Sequence, residues 1–224
     1  MRRVIALFLA LAALSFAGES ENKRLIAAAE MFQEIMNAGD QSIPHDLLNK
    51  SQCAILVPGL KKGAFIFGGK YGRGWATCRM PGGKGWSAPA GMRVEGGSFG
   101  FQIGGAETDV ILLVMNRKGM DRLLSSQFTL GGEAAAAAGP VGRDTQAMTD
   151  ATMRAEILSW SRSRGVFGGV SLQGSTLRED RDADIGLYGS SVDRREVLSG
   201  KVKTPAASGK LLAILTKYSA FQAK

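Results

Sequence analysis

The sequence predicts an α+β fold: a curved, barrel-like, mainly antiparallel β-sheet with amino-terminal and carboxy-terminal helices. Three observations carry that prediction. Phenylalanine recurs among glycines at Gly63-Ala-Phe-Ile-Phe-Gly-Gly69, Gly97-Ser-Phe-Gly-Phe-Gln-Ile-Gly-Gly105 and Gly165-Val-Phe-Gly-Gly169, and paired glycines beside aromatics suit strands that bend or approach one another closely. The chain ends carry apolar residues at helical spacing, whereas the middle alternates strand-like runs with Pro-Gly and Gly-Gly turn signals. Asp109 to Met115 is nearly all aliphatic, the pattern of a strand buried in the interior.

Taken in order, Glu21 to Asn37 places Leu25, Ala28, Ala29, Phe32, Ile35 and Met36 on one helical face, with Gly39 as its stop. Pro44 opens a short helix through Asp46 to Asn49. Strands are expected over Ala54 to Val57, Gly63 to Gly69, Tyr71 to Arg79, Met92 to Ile103 and Asp109 to Met115. A short helix follows over Gly119 to Gln127, and the strand pattern resumes at Phe128 to Gly131 and within Ala155 to Gly174. Ala134 to Ala138 favours helix by propensity, but its glycine and proline flanks predict an extended segment. Short helical turns are expected at Asp184 to Gly189 and Asp193 to Leu198, and a final helix at Ala206 to Phe221 with Leu211, Leu212, Leu215 and Tyr218 inward.

The first residues read as an export signal. Arg2 and Arg3 precede an apolar run from Val4 to Leu14, and Ser15-Phe-Ala17 offers small residues for a peptidase. The run is too short to span a bilayer, which takes about 20 residues. Residues 1–17 are therefore assigned to a signal peptide, 18–42 to an amphipathic helix and 43–224 to one domain. The expected location is the periplasm or the exterior, peripheral to a membrane. The formal charge of +8 favours anionic partners, and for an exported protein those are lipid surfaces or glycans rather than nucleic acid. Cys53 and Cys78 are the two cysteines; an oxidising compartment permits a disulfide between them, and two buried thiols are the alternative.

Catalytic motifs fail for want of partners. Gly96-Gly-Ser98-Phe-Gly100 has the form of a nucleophile elbow, but the single histidine, His45, lies upstream, against the hydrolase order. One histidine and two cysteines are too few for a tetrahedral zinc site. Asp180-Arg-Asp182-Ala-Asp184 opens like a calcium loop, yet Ile185 and Ser191 stand where glycine and glutamate are required. Gly69 to Gly74 completes neither a Walker nor a dinucleotide pattern. No enzyme activity, cofactor or metal is expected.

Binding features remain. Lys61 and Lys62 are read as a turn after Pro58-Gly59, where both ammonium groups meet one phosphate. Alternation puts Tyr71, Arg73, Trp75, Thr77 and Arg79 on one strand face, making it basic and aromatic. The lipid-binding set is accordingly Lys61, Lys62, Lys70, Arg73 and Lys84, with Tyr71 and Trp75 as membrane contacts. The competing expectation is that a helix covers Tyr71 and Trp75 while the arginines pair with acids.

The blocks Ser51 to Gly63, Gly68 to Trp75, Gly97 to Gly105, Asp109 to Gly119 and Ser161 to Gly169, in that order, resemble the SYLF domain, in its secreted bacterial form. The likeness runs from about Ile43 to Gly189. It implies a non-enzymatic module that binds phosphoinositides in eukaryotic members and actin in some fungal ones. The expected ligand is thus an anionic phospholipid or another anionic amphiphile, with a protein-binding scaffold as the alternative.

Overall fold

The computed structural model describes residues 2–39, 42–64, 67–83, 85–99, 104–141, 153–163 and 166–219. Helix α1 (Arg2–Met36) and the short α2 (His45–Lys50) precede four long strands, β1 (Cys53–Ala64), β2 (Phe67–Cys78), β3 (Ala90–Phe99) and β4 (Gly104–Val114). Next come α3 (Arg117–Leu123), β5 (Gln127–Thr129), β6 (Ala136–Ala138), β7 (Ile157–Ser163), β8 (Val166–Gly169) and β9 (Thr176–Glu179). Helices α4 (Arg181–Tyr188), α5 (Arg194–Leu198) and α6 (Gly209–Tyr218) complete the chain.

One sheet holds all nine strands in the order β5-β9-β3-β2-β1-β4-β7-β6, with β8 also on β7. The pairings are antiparallel except β6 with β7. Strands β5 and β6 stand at opposite ends of that order, yet residues 130–135 join them, bridged at Leu130 and Ala134. So short a link draws the two edges together, and the sheet curls strongly into a half-barrel.

Both faces of the central strands are buried, and the period of two decides what each meets. On β1 and β4, Ala54, Leu56, Ile111 and Leu113 pack outward beneath α1 and α6, against Leu25, Phe32, Leu211 and Leu215. Their neighbours Cys53, Ile55, Val57, Val110, Leu112 and Val114 fill the concave side with Phe128, Leu177 and Val197. This explains the unbroken aliphatic run of β4: a strand covered twice has no polar face to alternate with. Each fully buried leucine or isoleucine is worth about 1.5–3 kcal/mol, so the central pair anchors the domain. Cys53 and Cys78 are cross-strand neighbours joined by a disulfide with S–S 2.11 Å.

Several expectations change. Pro58-Gly59 is not a turn; β1 runs through it as a bulge, with register shifts against both β2 and β4. A bulge accepts a proline because no ladder donor is needed there. Gly59 sits at φ 61, and its N–H donates to Asp109 Oδ1 at 2.9 Å. The bulged backbone presses on β2, where a Cβ on Gly74 would fall 2.0 Å from the Leu56 carbonyl oxygen. Gly63 to Gly69 is not one strand: Gly63 and Ala64 end β1, Phe67 to Gly69 begin β2 with Gly63 opposite Gly69, and residues 65 and 66 lie outside the described residues. Helix α1 begins at Arg2 rather than Glu21, β9 was not expected, and α4 starts one residue after its cap, Asp180.

Candidate functional site

The cross-strand register separates the residues expected to bind lipid. Lys61 stands opposite Tyr71 on β2 and Glu107 on β4, whereas Lys62 stands opposite Lys70 and Ala106. Consecutive strand residues point to opposite faces, so Lys61 and Lys62 do not converge on one phosphate. Lys62 and Lys70 do come together. Burial pushes the Lys62 ammonium below its ordinary range, and the charge on Lys70 adds to that push. Lys84 lies outside the described residues.

The face carrying Tyr71, Arg73 and Trp75 is the face that α1 covers. Trp75 is fully buried, which removes it as a membrane contact, while Tyr71 keeps 46% of its surface exposed. Arg73 is also engaged: Nε and Nη2 grip the Asp180 carboxylate, the latter at 3.0 Å, and Nη1 approaches Glu21 of α1 at 3.7 Å. Farther along, Thr77 donates to the Ser87 carbonyl at 2.7 Å. Arg79 donates to the Ser51 and Leu48 carbonyls at 2.9 and 2.7 Å and stacks 4.6 Å from the Trp86 ring centre. This face is a covered structural joint rather than an open basic surface.

Asp180 is the hub of that joint. Its side chain caps α4 by accepting from the Ala183 N–H, binds Arg73 and lies 4.0 Å from Arg93 Nε. One turn later, the buried Asp184 accepts the Gly91 N–H at 2.6 Å, and burial raises its carboxyl to about 7 against the opposing pull of that hydrogen bond. Arg194, almost fully buried, donates to the Leu123 carbonyl at 2.8 Å and faces Glu179 at 3.6 Å. The carboxylate run that opens like a calcium loop is thus a helix start, with Asp180 held by arginines and Asp184 by a backbone N–H. Among the described residues no cluster of histidine, cysteine or carboxylate groups is fit to hold a metal ion.

His45 Nδ1 lies 3.0 Å from the Tyr218 carbonyl, which ties α2 to α6. Ser98 belongs to β3, where it stands opposite Gly68 of β2 as part of the sheet. Among the described residues no helix is long and apolar enough to cross a membrane.

A cleft of about 800 Å3 opens between α1 and the β1 bulge. Lys23, Arg24, Ala27 and Glu34 of α1 form one side; Pro58, Gly59, Glu107 and Asp109 form the other. Arg162 of β7 closes an end: Nε and Nη2 hold Asp109 Oδ2 at 3.0 and 2.6 Å, while Nη1 reaches Glu34. Sequence reasoning missed Glu107, Asp109 and Arg162, which become neighbours only through strand register. Their one signal is charge at the margins of strands otherwise apolar.

An α+β domain with a curled sheet, covered cations and a charged cleft is the class that the geometry defines. The chain belongs to the Ysc84 family, described as "Las17-binding protein actin regulator", whose match covers residues 95–218. It is 36% identical over 176 residues to an SH3 domain-containing protein of Schizosaccharomyces pombe, covering 77% of this chain and 40% of that one. It is 33% identical over 205 residues to Protein YSC84 of Saccharomyces cerevisiae, covering 88% and 43%. Against SH3 domain-containing YSC84-like protein 1 of Homo sapiens the identity is 29% over 204 residues, covering 90% and 59%. The chain therefore spans about two fifths to three fifths of the length of these relatives. The family's own description is of a binding protein and regulator, and names no reaction.

Proposed function

We propose that this chain is a non-catalytic protein-binding module. The observation that carries the reading is the pairing of its sheet arginines: Arg73 with Asp180 and Glu21, Arg162 with Asp109 and Glu34. What remains beside α1 is a mosaic of both signs, which suits a polypeptide partner better than a uniformly anionic membrane. The family's description, Las17-binding and actin-regulating, supports the same class of ligand. The test is retention of purified Las17 by the immobilised domain and its co-sedimentation with actin filaments. Binding to either supports the reading; binding to neither, with attachment to anionic vesicles instead, overturns it. Within this reading Met1 to Ala17 is an export leader, and intact mass of the protein recovered from its host checks its removal.

A second reading, binding of anionic phospholipid headgroups, is favoured by one observation. Lys62 and Lys70 face each other directly across β1 and β2, an arrangement that costs stability unless an anion relieves it. Sedimentation with phosphatidylserine vesicles that weakens with salt, and is lost in Lys62→Glu, supports this reading.

A further inference from the structure

The cleft between α1 and the β1 bulge contains charges that the fold does not use. Asp109 is consumed by the Gly59 N–H and by Arg162, Arg162 also holds Glu34, and Arg24 holds Glu21. Two groups have no partner across the cleft among the described residues. Glu107 is exposed and forms no ion pair with any described residue, although Lys61 stands opposite it in the sheet. Its carboxylate turns the other way, over Gly59, where a Cβ would lie 2.6 Å from Oε1. Lys23, on the facing wall, pairs only with Glu19 on its own helix, and its side chain remains 74% exposed. The space between them is open because Ala27 and Gly59 put almost nothing into it.

The lining restricts the occupant. Glu34, Glu107 and Asp109 repel a phosphate or sulfate, and Arg162 among them repels a metal ion. A charge-balanced chain meets both leftover groups at once. We propose that this cleft is the docking groove for an extended polypeptide segment bearing an arginine or lysine for Glu107 and a carboxylate for Lys23. The inference rests on the protein-binding reading and names its surface. A basic side chain over Glu107 makes charge-assisted hydrogen bonds, and the neighbouring acid keeps the segment from being repelled by a chain of net charge +8.

The experiment is an amide-shift titration of the 15N-labelled protein with a glycine-serine decapeptide carrying one arginine and one glutamate, beside a control peptide with glutamine at both positions. The expected result is a cluster of shifts at Gly59, Ala27 and Glu107 and at Arg162 Nε, absent with the control peptide. Glu107→Gln removes the cation acceptor and weakens binding about tenfold or more. Ala27→Phe fills the groove from a position outside the core and abolishes the shifts; an unchanged melting temperature shows that each variant is folded. Unaltered affinity in Glu107→Gln, or no shifts at all, overturns the proposal. Shifts gathered on another surface, with Las17 or actin still bound, overturn the groove while leaving the protein-binding reading intact; loss of every protein ligand sinks both.

Discussion

Arg73 grips Asp180 through two guanidinium nitrogens, joining the middle of β2 to the first turn of α4. Asp180 is fully buried and also supplies the cap of that helix. Asp180→Ala therefore removes a cap and leaves Arg73 and Arg93 facing each other with less compensation. Removing one partner of a buried pair costs about 3–5 kcal/mol. Urea unfolding should show a lower midpoint of that order with an unchanged slope. Arg73→Met, which withdraws the charge from the more exposed side, should cost less.

Asp184 makes stability depend on pH in an unusual direction for a carboxylate. Burial lifts its folded value to about 7, whereas an unfolded aspartate titrates near 4. Between those values the folded state holds a proton that the unfolded chain has lost, so stability from this group falls as pH rises from about 4 to 7 and is level above. The Asp184→Asn side chain still accepts the Gly91 N–H and never ionises. It should exceed the wild type by roughly 2–4 kcal/mol at pH 8 and match it near pH 4. An equal difference at both pH values, measured by urea midpoints, would remove this account. Asp180, Glu179 and Arg194 also act on Asp184, but they remain in both proteins.

These residues show what a single sequence reveals and what it does not. Burial within an element follows from its own period, so the inward faces of α1 and α6 and the doubly covered β4 were legible residue by residue. Alternation also placed Tyr71, Arg73 and Trp75 on one face correctly. It could not say that α1 lies on that face, which turned a basic and aromatic surface into a buried joint. Register was hidden for a related reason: the bulge at Pro58-Gly59 carries ordinary turn residues, and only the ladder shows that β1 continues to Ala64. Lys61 beside Glu107 and Lys62 beside Lys70 are consequences of that continuation. Strand β9 was missed because Thr176, Leu177, Arg178 and Glu179 carry one apolar residue among polar ones, and Arg178 is held by Glu95 and Gln127 across the sheet.

The disulfide ties the start of β1 to the end of β2 across a separation of 25 residues. A loop of that length restricts the unfolded chain by about 3.5 kcal/mol. The Cys53→Ala plus Cys78→Ala variant should unfold at a correspondingly lower denaturant concentration while keeping the native circular dichroism spectrum. Both cysteines are fully buried, so reductant should act on the wild type only as fast as the domain opens. Reduction rates that fall in step with added stabilising osmolyte would be the kinetic sign of that dependence.

Lys62 and Lys70 allow stability and ligand binding to be pulled in opposite directions. Directly opposed like charges destabilise a strand pair, and opposite charges stabilise it, by a few tenths to about 1 kcal/mol. Lys62→Glu therefore replaces a repulsion by an attraction and should raise the melting temperature slightly. If the pair serves an anionic headgroup, the same change abolishes vesicle attachment, so a more stable protein binds less well. Lys70→Glu must behave in the same way, because the pair is reciprocal, and the double exchange must restore the repulsion without restoring binding. A variant that gains stability yet keeps its full affinity for anionic vesicles would place any headgroup contact elsewhere on the domain.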